Sequence, residues 1–95
     1  MTFAEYKDSL NWAQPPAGLS LPLLGLWWDA KGDWSRAHEA AQQDEGANGS
    51  WVHAYLHRKE GDAGNAGYWY SRAGRTPSRQ SLEEEWRTIA ADLLS

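Results

Sequence analysis

The chain has 95 residues, a formal net charge of −4 and no cysteine. This length suggests one domain over residues 1–95, and the lack of cysteine excludes disulfides and zinc sites built on thiolates. The acidic balance argues against a nucleic-acid partner, because phosphate binding usually needs a basic face.

No apolar run in the chain is long enough to cross a membrane, and the N-terminus lacks the basic start and apolar core of a signal peptide. A chain without cysteine also fits a reducing compartment. We therefore expect a cytoplasmic protein that does not associate with membranes.

The first two helices begin at polar caps. Thr2-Phe3-Ala4-Glu5 has the form of a capping box, and the prolines at Pro15-Pro16 end the helix that follows it. Ser20 caps a second helix, with Pro22 tolerated in its first turn.

A Gly-Asp pair occurs twice, at Gly32-Asp33 and again 29 residues later at Gly61-Asp62. In each copy the glycine can end one helix in a left-handed conformation and the aspartate can cap the next. Between the two copies, residues 44–50 contain Gly46 and Gly49 as helix breakers, and they are predicted to form a connector.

The C-terminal segment has the cleanest helical pattern, since apolar residues from Leu82 to Leu93 recur at helical spacing after a capping box at Ser81. We expect this amphipathic helix to lie over the others as a lid. No segment alternates with period two long enough to predict a strand, so the fold class is all-α. The predicted helices cover about residues 3–13, 21–31, 33–44, 51–60, 62–73 and 82–94.

The first copy reads Leu24-Gly25-x-x-Trp28 and then Gly32-x-Trp34-x-x-Ala37, which resembles the tetratricopeptide repeat. The second copy, a Gly-Asp-x-x-Asn-Ala-x-x-Trp-Tyr-x-x-Ala run over residues 61–73, resembles the related Sel1-type repeat. The resemblance covers residues 21–77 and implies two stacked helical hairpins, flanked by an N-terminal helix and the C-terminal amphipathic helix. The 29-residue offset is shorter than the usual 34, and His53 and His57 replace an expected leucine and aromatic residue.

The same resemblance implies a function, because the first helix of each hairpin in such stacks lines a concave face. It implies a non-catalytic module that binds a protein or peptide. The alternative is that so short a stack has little groove and that its terminal helices cover these residues. A structural homodimer is a second functional hypothesis. The candidate partner-binding residues are those that would project from the concave face, Leu26, Asp29, Tyr55 and Arg58, with Trp51 near its edge.

His53 and His57 are four residues apart and share a helix face, as metal ligands often do, and Glu60 could add a carboxylate. The competing interpretation is two imidazoles packed among aromatic residues, and spacing places no third soft ligand. His38 is interpreted as a packing or surface histidine. We therefore expect no metal, no cofactor and no catalytic residue. A small metal-binding protein or enzyme using His53 and His57 stays as the third hypothesis.

Overall fold

The computed structural model describes residues 1–95 as helices joined by short connections. No strand is present, so the prediction of an all-α fold is confirmed. None of the helices combines the length and the apolar character needed to cross a membrane. The helices are α1 (Phe3–Asp8), α2 (Leu21–Ala30), α3 (Trp34–Gln43), α4 (Ala47–Lys59), α5 (Ala63–Arg72) and α6 (Leu82–Leu94).

The repeated Gly-Asp pair ends one helix and begins the next, as predicted. Gly32 and Gly61 have φ values of 84° and 89°, in the left-handed region that costs glycine little. The side chain of Asp33 accepts a hydrogen bond from the Arg36 amide, and Asp62 accepts one from the Asn65 amide. Each pair therefore forms the turn of one helical hairpin: Gly32-Asp33 joins α2 to α3, and Gly61-Asp62 joins α4 to α5.

Small residues lie where the helices cross. A Cβ atom on Gly25 would lie 3.2 Å from the Ala37 carbonyl oxygen and 3.3 Å from Cγ1 of Val52, so α2 approaches both α3 and α4 closely. Ala37 and Ala54 are fully buried. Helix α3 also packs against α4, and this contact determines which polar side chains meet between the two helices.

The first helix is shorter than predicted. It ends at Asp8 and continues as a 3-10 turn over Ser9–Asn11, and residues 12 and 13 are not helical. The Ser9 hydroxyl donates to the Tyr6 carbonyl oxygen and accepts from Trp27 Nε1 at 3.0 Å. Such a local side-chain bond offers the backbone an alternative to the helical ladder.

The fourth helix is longer than predicted, since it begins at Ala47 rather than near Trp51. Gly46 is its N-cap residue, and Gly49 lies inside its first turn. A Cβ atom on Gly49 would lie 2.1 Å from the Asp44 carbonyl oxygen. Gly49 therefore permits close contact with the preceding chain and does not break the helix.

Helix α6 covers α1, α2 and α4 with its apolar face, as predicted for a lid. Trp86 stacks on Tyr6 with 5.8 Å between ring centroids, and its Nε1 donates to the Leu26 carbonyl oxygen at 3.0 Å. Glu85 departs from the expected polar, solvated face because it is buried. Its carboxylate accepts hydrogen bonds from Arg58 and from the Tyr70 hydroxyl.

Candidate functional site

The three histidines of the chain meet between α3 and α4. His38 comes from α3, and His53 and His57 come from consecutive turns of α4. Nε2 of His38 and Nε2 of His53 are 2.9 Å apart, and one ligand nitrogen from each ring lies within 4.8 Å of the other two. We call His38, His53 and His57 the histidine cluster.

Local sequence explains why these rings converge. The Asp33 cap fixes the start of α3, and the residues of α3 that face its neighbours include the fully buried Ala37 and Ala41. The backbone at Ala37 and Ala41 lies close to Gly25 of α2, and α3 also packs against α4. Spacing by four residues on α4 directs His53 and His57 to one face of that helix, and this face meets His38.

Two tryptophans enclose the histidine cluster. The Trp34 ring stacks on His38 with centroids 4.8 Å apart and an interplanar angle of 17°. The Trp69 ring, from α5, stacks on His53 at 3.9 Å and 17°. The imidazole rings therefore have restricted orientations, which holds their nitrogens in place.

Glu60 orients the third ring. Its Oε1 lies 2.5 Å from Nδ1 of His57, within hydrogen-bonding distance. When Nδ1 carries the proton and donates it to this carboxylate, Nε2 becomes the nitrogen with the free lone pair. Metal-binding histidines commonly have such a carboxylate partner, which fixes the tautomer and makes the ligand more basic.

The surroundings disfavour protonation of two of the three rings, His38 and His53. The pKa of His53 is lowered to about 4, chiefly by burial. Repulsion from His38, His57 and Arg72 adds to this lowering of the pKa. Burial is also the main cause that lowers the pKa of His38, with repulsion from His57 second and attraction from Glu60 in opposition. Neutral imidazole is the form that binds metals.

The five residues predicted to project from a concave face do not form an open surface. Leu26, Trp51 and Tyr55 are buried in the core, and Asp29 is buried as a hydrogen-bonded carboxylate. Arg58 is the most accessible of the five, with 26% of its side chain exposed. The C-terminal helix α6 covers part of this side, as the alternative interpretation proposed, because Trp86 Nε1 donates to the Leu26 carbonyl oxygen.

Some of these residues reach the walls of two surface clefts. Asp29 and Tyr55 line a cleft of about 310 Å³ beside Trp86. Trp51 lines a larger groove of about 970 Å³, where the Arg75 guanidinium covers its ring at 3.3 Å from the centroid. Neither cleft includes a residue of the histidine cluster. Binding of a protein or peptide stays a prediction, and so does the homodimer. These five residues do not form an exposed face that would support either one.

The sequence interpretation missed His38 as a partner of His53 and His57. His38 is 15 residues from His53, and no metal-binding motif includes that separation. A usable signal was nevertheless present. His38 shares the packed face of α3 with Ala37 and Ala41, and α3 precedes α4 through a short connection, so the histidine-bearing faces of adjacent helices could meet.

Comparison with known proteins adds no assignment. No protein-family model matches the chain, and the searches of curated proteins and of solved structures also found no match. The resemblance to tetratricopeptide and Sel1-type repeats therefore stays a prediction. The candidate site rests on the geometry of the histidine cluster.

Proposed function

We propose that this protein binds one divalent transition-metal ion, with zinc as the first candidate, through His38, His53 and His57. The observation that supports the proposal is the convergence of three imidazole nitrogens within 4.8 Å of one another. Imidazole suits zinc, copper, iron and nickel among the biological metals. The non-catalytic binding module that the sequence favoured stays a prediction beside this proposal.

The spacing of the nitrogens is compatible with coordination. Zinc binds histidine nitrogen at about 2.0–2.1 Å in tetrahedral geometry, so two ligand nitrogens on one ion lie about 3.3 Å apart. The Nε2 atoms of His38 and His53 are 2.9 Å apart. An adjustment of a few tenths of an ångström would exchange the hydrogen bond between them for two bonds to one ion.

The electrostatic setting also supports the proposal. Burial lowers the pKa of both His38 and His53, so these two rings meet as neutral donors, whereas two protonated imidazoles would repel each other at this distance. The Glu60 carboxylate beside His57 supplies negative charge that partly compensates a bound dication. Burial of His53 and His57 lowers the entropy lost on binding, because their rings are already held in place.

The test is calorimetric titration of zinc into tag-free protein that has first been stripped with a chelator. We expect one ion per chain. Replacing any one of the three histidines by glutamine, as in His53→Gln, should weaken binding by more than about 100-fold, because even loss of a partner to a ligand costs 10–100-fold.

Glu39→Gln is the matched control, since Glu39 is exposed and neighbours His38 on α3. It should bind zinc like the wild type, and circular dichroism should show that all four variants keep their helices. If the wild-type protein bound no more zinc than the three histidine variants did, the cluster would be a packing feature and the proposal would be rejected.

A further inference from the structure

The histidine cluster supplies three ligands and no fourth. We infer that an ion bound there keeps one coordination position for a ligand from solvent, either water or a small monodentate anion. The inference rests on the proposed function. It assigns the ion the role of a Lewis acid rather than that of a structural metal that only stabilises the fold.

The first support is the composition of the site. The chain has no cysteine to complete the coordination. The group formed by His38, His53 and His57 has ligand atoms within 4.8 Å of one another, and no fourth side chain belongs to it. Glu60 belongs to a separate group with His57 and Asp62, and its carboxylate is engaged by Nδ1 of His57.

The second support is access. His53 and His57 are buried, at 4% and 6% exposure, whereas His38 is half-buried. The cluster therefore reaches solvent at its His38 edge. Trp34 stacks on His38 and Trp69 stacks on His53, and neither offers an oxygen or sulfur ligand.

Coordination chemistry connects these observations. Zinc in proteins is usually four-coordinate, and structural sites fill all four positions with protein ligands. Sites with three protein ligands instead leave the fourth to water, and the ion lowers the pKa of that water or polarises a bound oxygen. Three histidines at an edge open to solvent have the second arrangement.

Cobalt(II) is the probe that tests this inference, because its visible absorption reports the coordination of the ion. The tag-free wild-type protein is loaded with one equivalent of cobalt and titrated with sodium azide at pH 7.5. We expect the absorption bands to shift and the change to saturate at one azide per cobalt, with the cobalt still bound to the protein after gel filtration.

The outcomes separate the two claims. Cobalt that stays bound but gives bands insensitive to azide would overturn the inference, because the coordination would then be complete, while metal binding itself would stand. Failure of the wild-type protein to retain cobalt or zinc would instead overturn the proposed function. The Glu39→Gln variant should repeat the wild-type azide response.

Discussion

The two sides of α4 hold polar groups in different ways. On the side toward α2 and α6, Asp29 accepts hydrogen bonds from Tyr55 at 3.0 Å and from Lys59 at 2.9 Å. Glu85 is likewise held by a cation and a tyrosine hydroxyl. Each buried carboxylate therefore has its counter-charge inside the protein, as buried charges require.

On the opposite side of α4, His53 and His57 meet His38 without an opposing charge inside the trio. The hydrogen bond between His38 and His53 joins two neutral rings, and Glu60 contacts His57 from outside the trio. The comparison teaches that a buried carboxylate paired with a cation has a structural role, whereas three grouped imidazoles leave a place for a cation. The following predictions test this difference.

The largest effect on stability is expected at the buried carboxylates, on the side of α4 toward α2 and α6. Glu85→Ala removes the acceptor of Arg58 and Tyr70, and it should lower the free energy of unfolding by about 2–4 kcal/mol in urea denaturation. The value lies below that of a fully buried pair because 26% of the Arg58 side chain is exposed. Zinc affinity should be unchanged. A loss of zinc affinity like that of His53→Gln, with the fold retained, would contradict the separation of the two sides.

Metal binding at the histidine cluster should stabilise the folded protein. Free zinc at 100 times its dissociation constant should raise the free energy of unfolding by about 2.7 kcal/mol. For a domain of this size that corresponds to a rise in Tm of about 10–20 °C, measured by thermal denaturation. EDTA should reverse the rise, and His57→Gln should not show it. An equal rise in His57→Gln would mean that zinc binds elsewhere.

In the absence of metal, acid should destabilise the folded protein through the histidine cluster. The pKa of His53 lies at about 4 in the folded chain, below its ordinary value of 6.5. Between these values the unfolded chain binds more protons, so the free energy of unfolding should fall as the pH falls from 6.5 to 4, by on the order of 2–3 kcal/mol. The charged or titratable groups that face His53 are His38, His57 and Arg72.

The control for the pH effect is His53→Gln, which cannot bind that proton. Urea denaturation of the metal-free proteins should show a smaller loss of stability in this variant over the same pH range. The buried carboxylates Asp29 and Glu85 are present in both proteins, so their contribution to acid sensitivity cancels in the comparison. Identical pH slopes would show that His53 does not contribute.

The smallest effect concerns the link between Glu60 and His57. Glu60→Gln keeps the size of the side chain but removes the carboxylate charge beside Nδ1. We expect zinc to bind about tenfold more weakly in calorimetry, as is typical when the partner of a metal-binding histidine is changed. The exposed Glu39→Gln variant removes the same charge from α3 and should bind normally. Equal affinities in the two variants would mean that Glu60 does not orient the ring.

Signals within a few residues of one another predicted the helices well. The Gly32-Asp33 and Gly61-Asp62 pairs mark both hairpin turns because a left-handed glycine and a capping aspartate act locally. Gly49 misled the prediction, since its role depends on contact with Asp44 rather than on helix propensity.

The candidate site was only half predictable. Spacing placed His53 and His57 on one face, but the contribution of His38 depends on how α3 packs against α4. The burial of Leu26 was not predicted for a similar reason, because it depends on where the α6 residue Trp86 docks. Side-chain patterns show that a helix has an apolar face, but they do not give the position at which that face packs.

X-ray absorption spectroscopy of the zinc-loaded, tag-free protein tests the central claim most directly, because it counts the imidazoles around the ion. The account predicts three histidine nitrogens at about 2.0–2.1 Å from the zinc ion, each with the scattering of its imidazole ring. The fourth ligand should be water or a small anion, which adds no imidazole scattering. A zinc environment with fewer than three histidines, or a protein that retains no zinc after gel filtration, would contradict it.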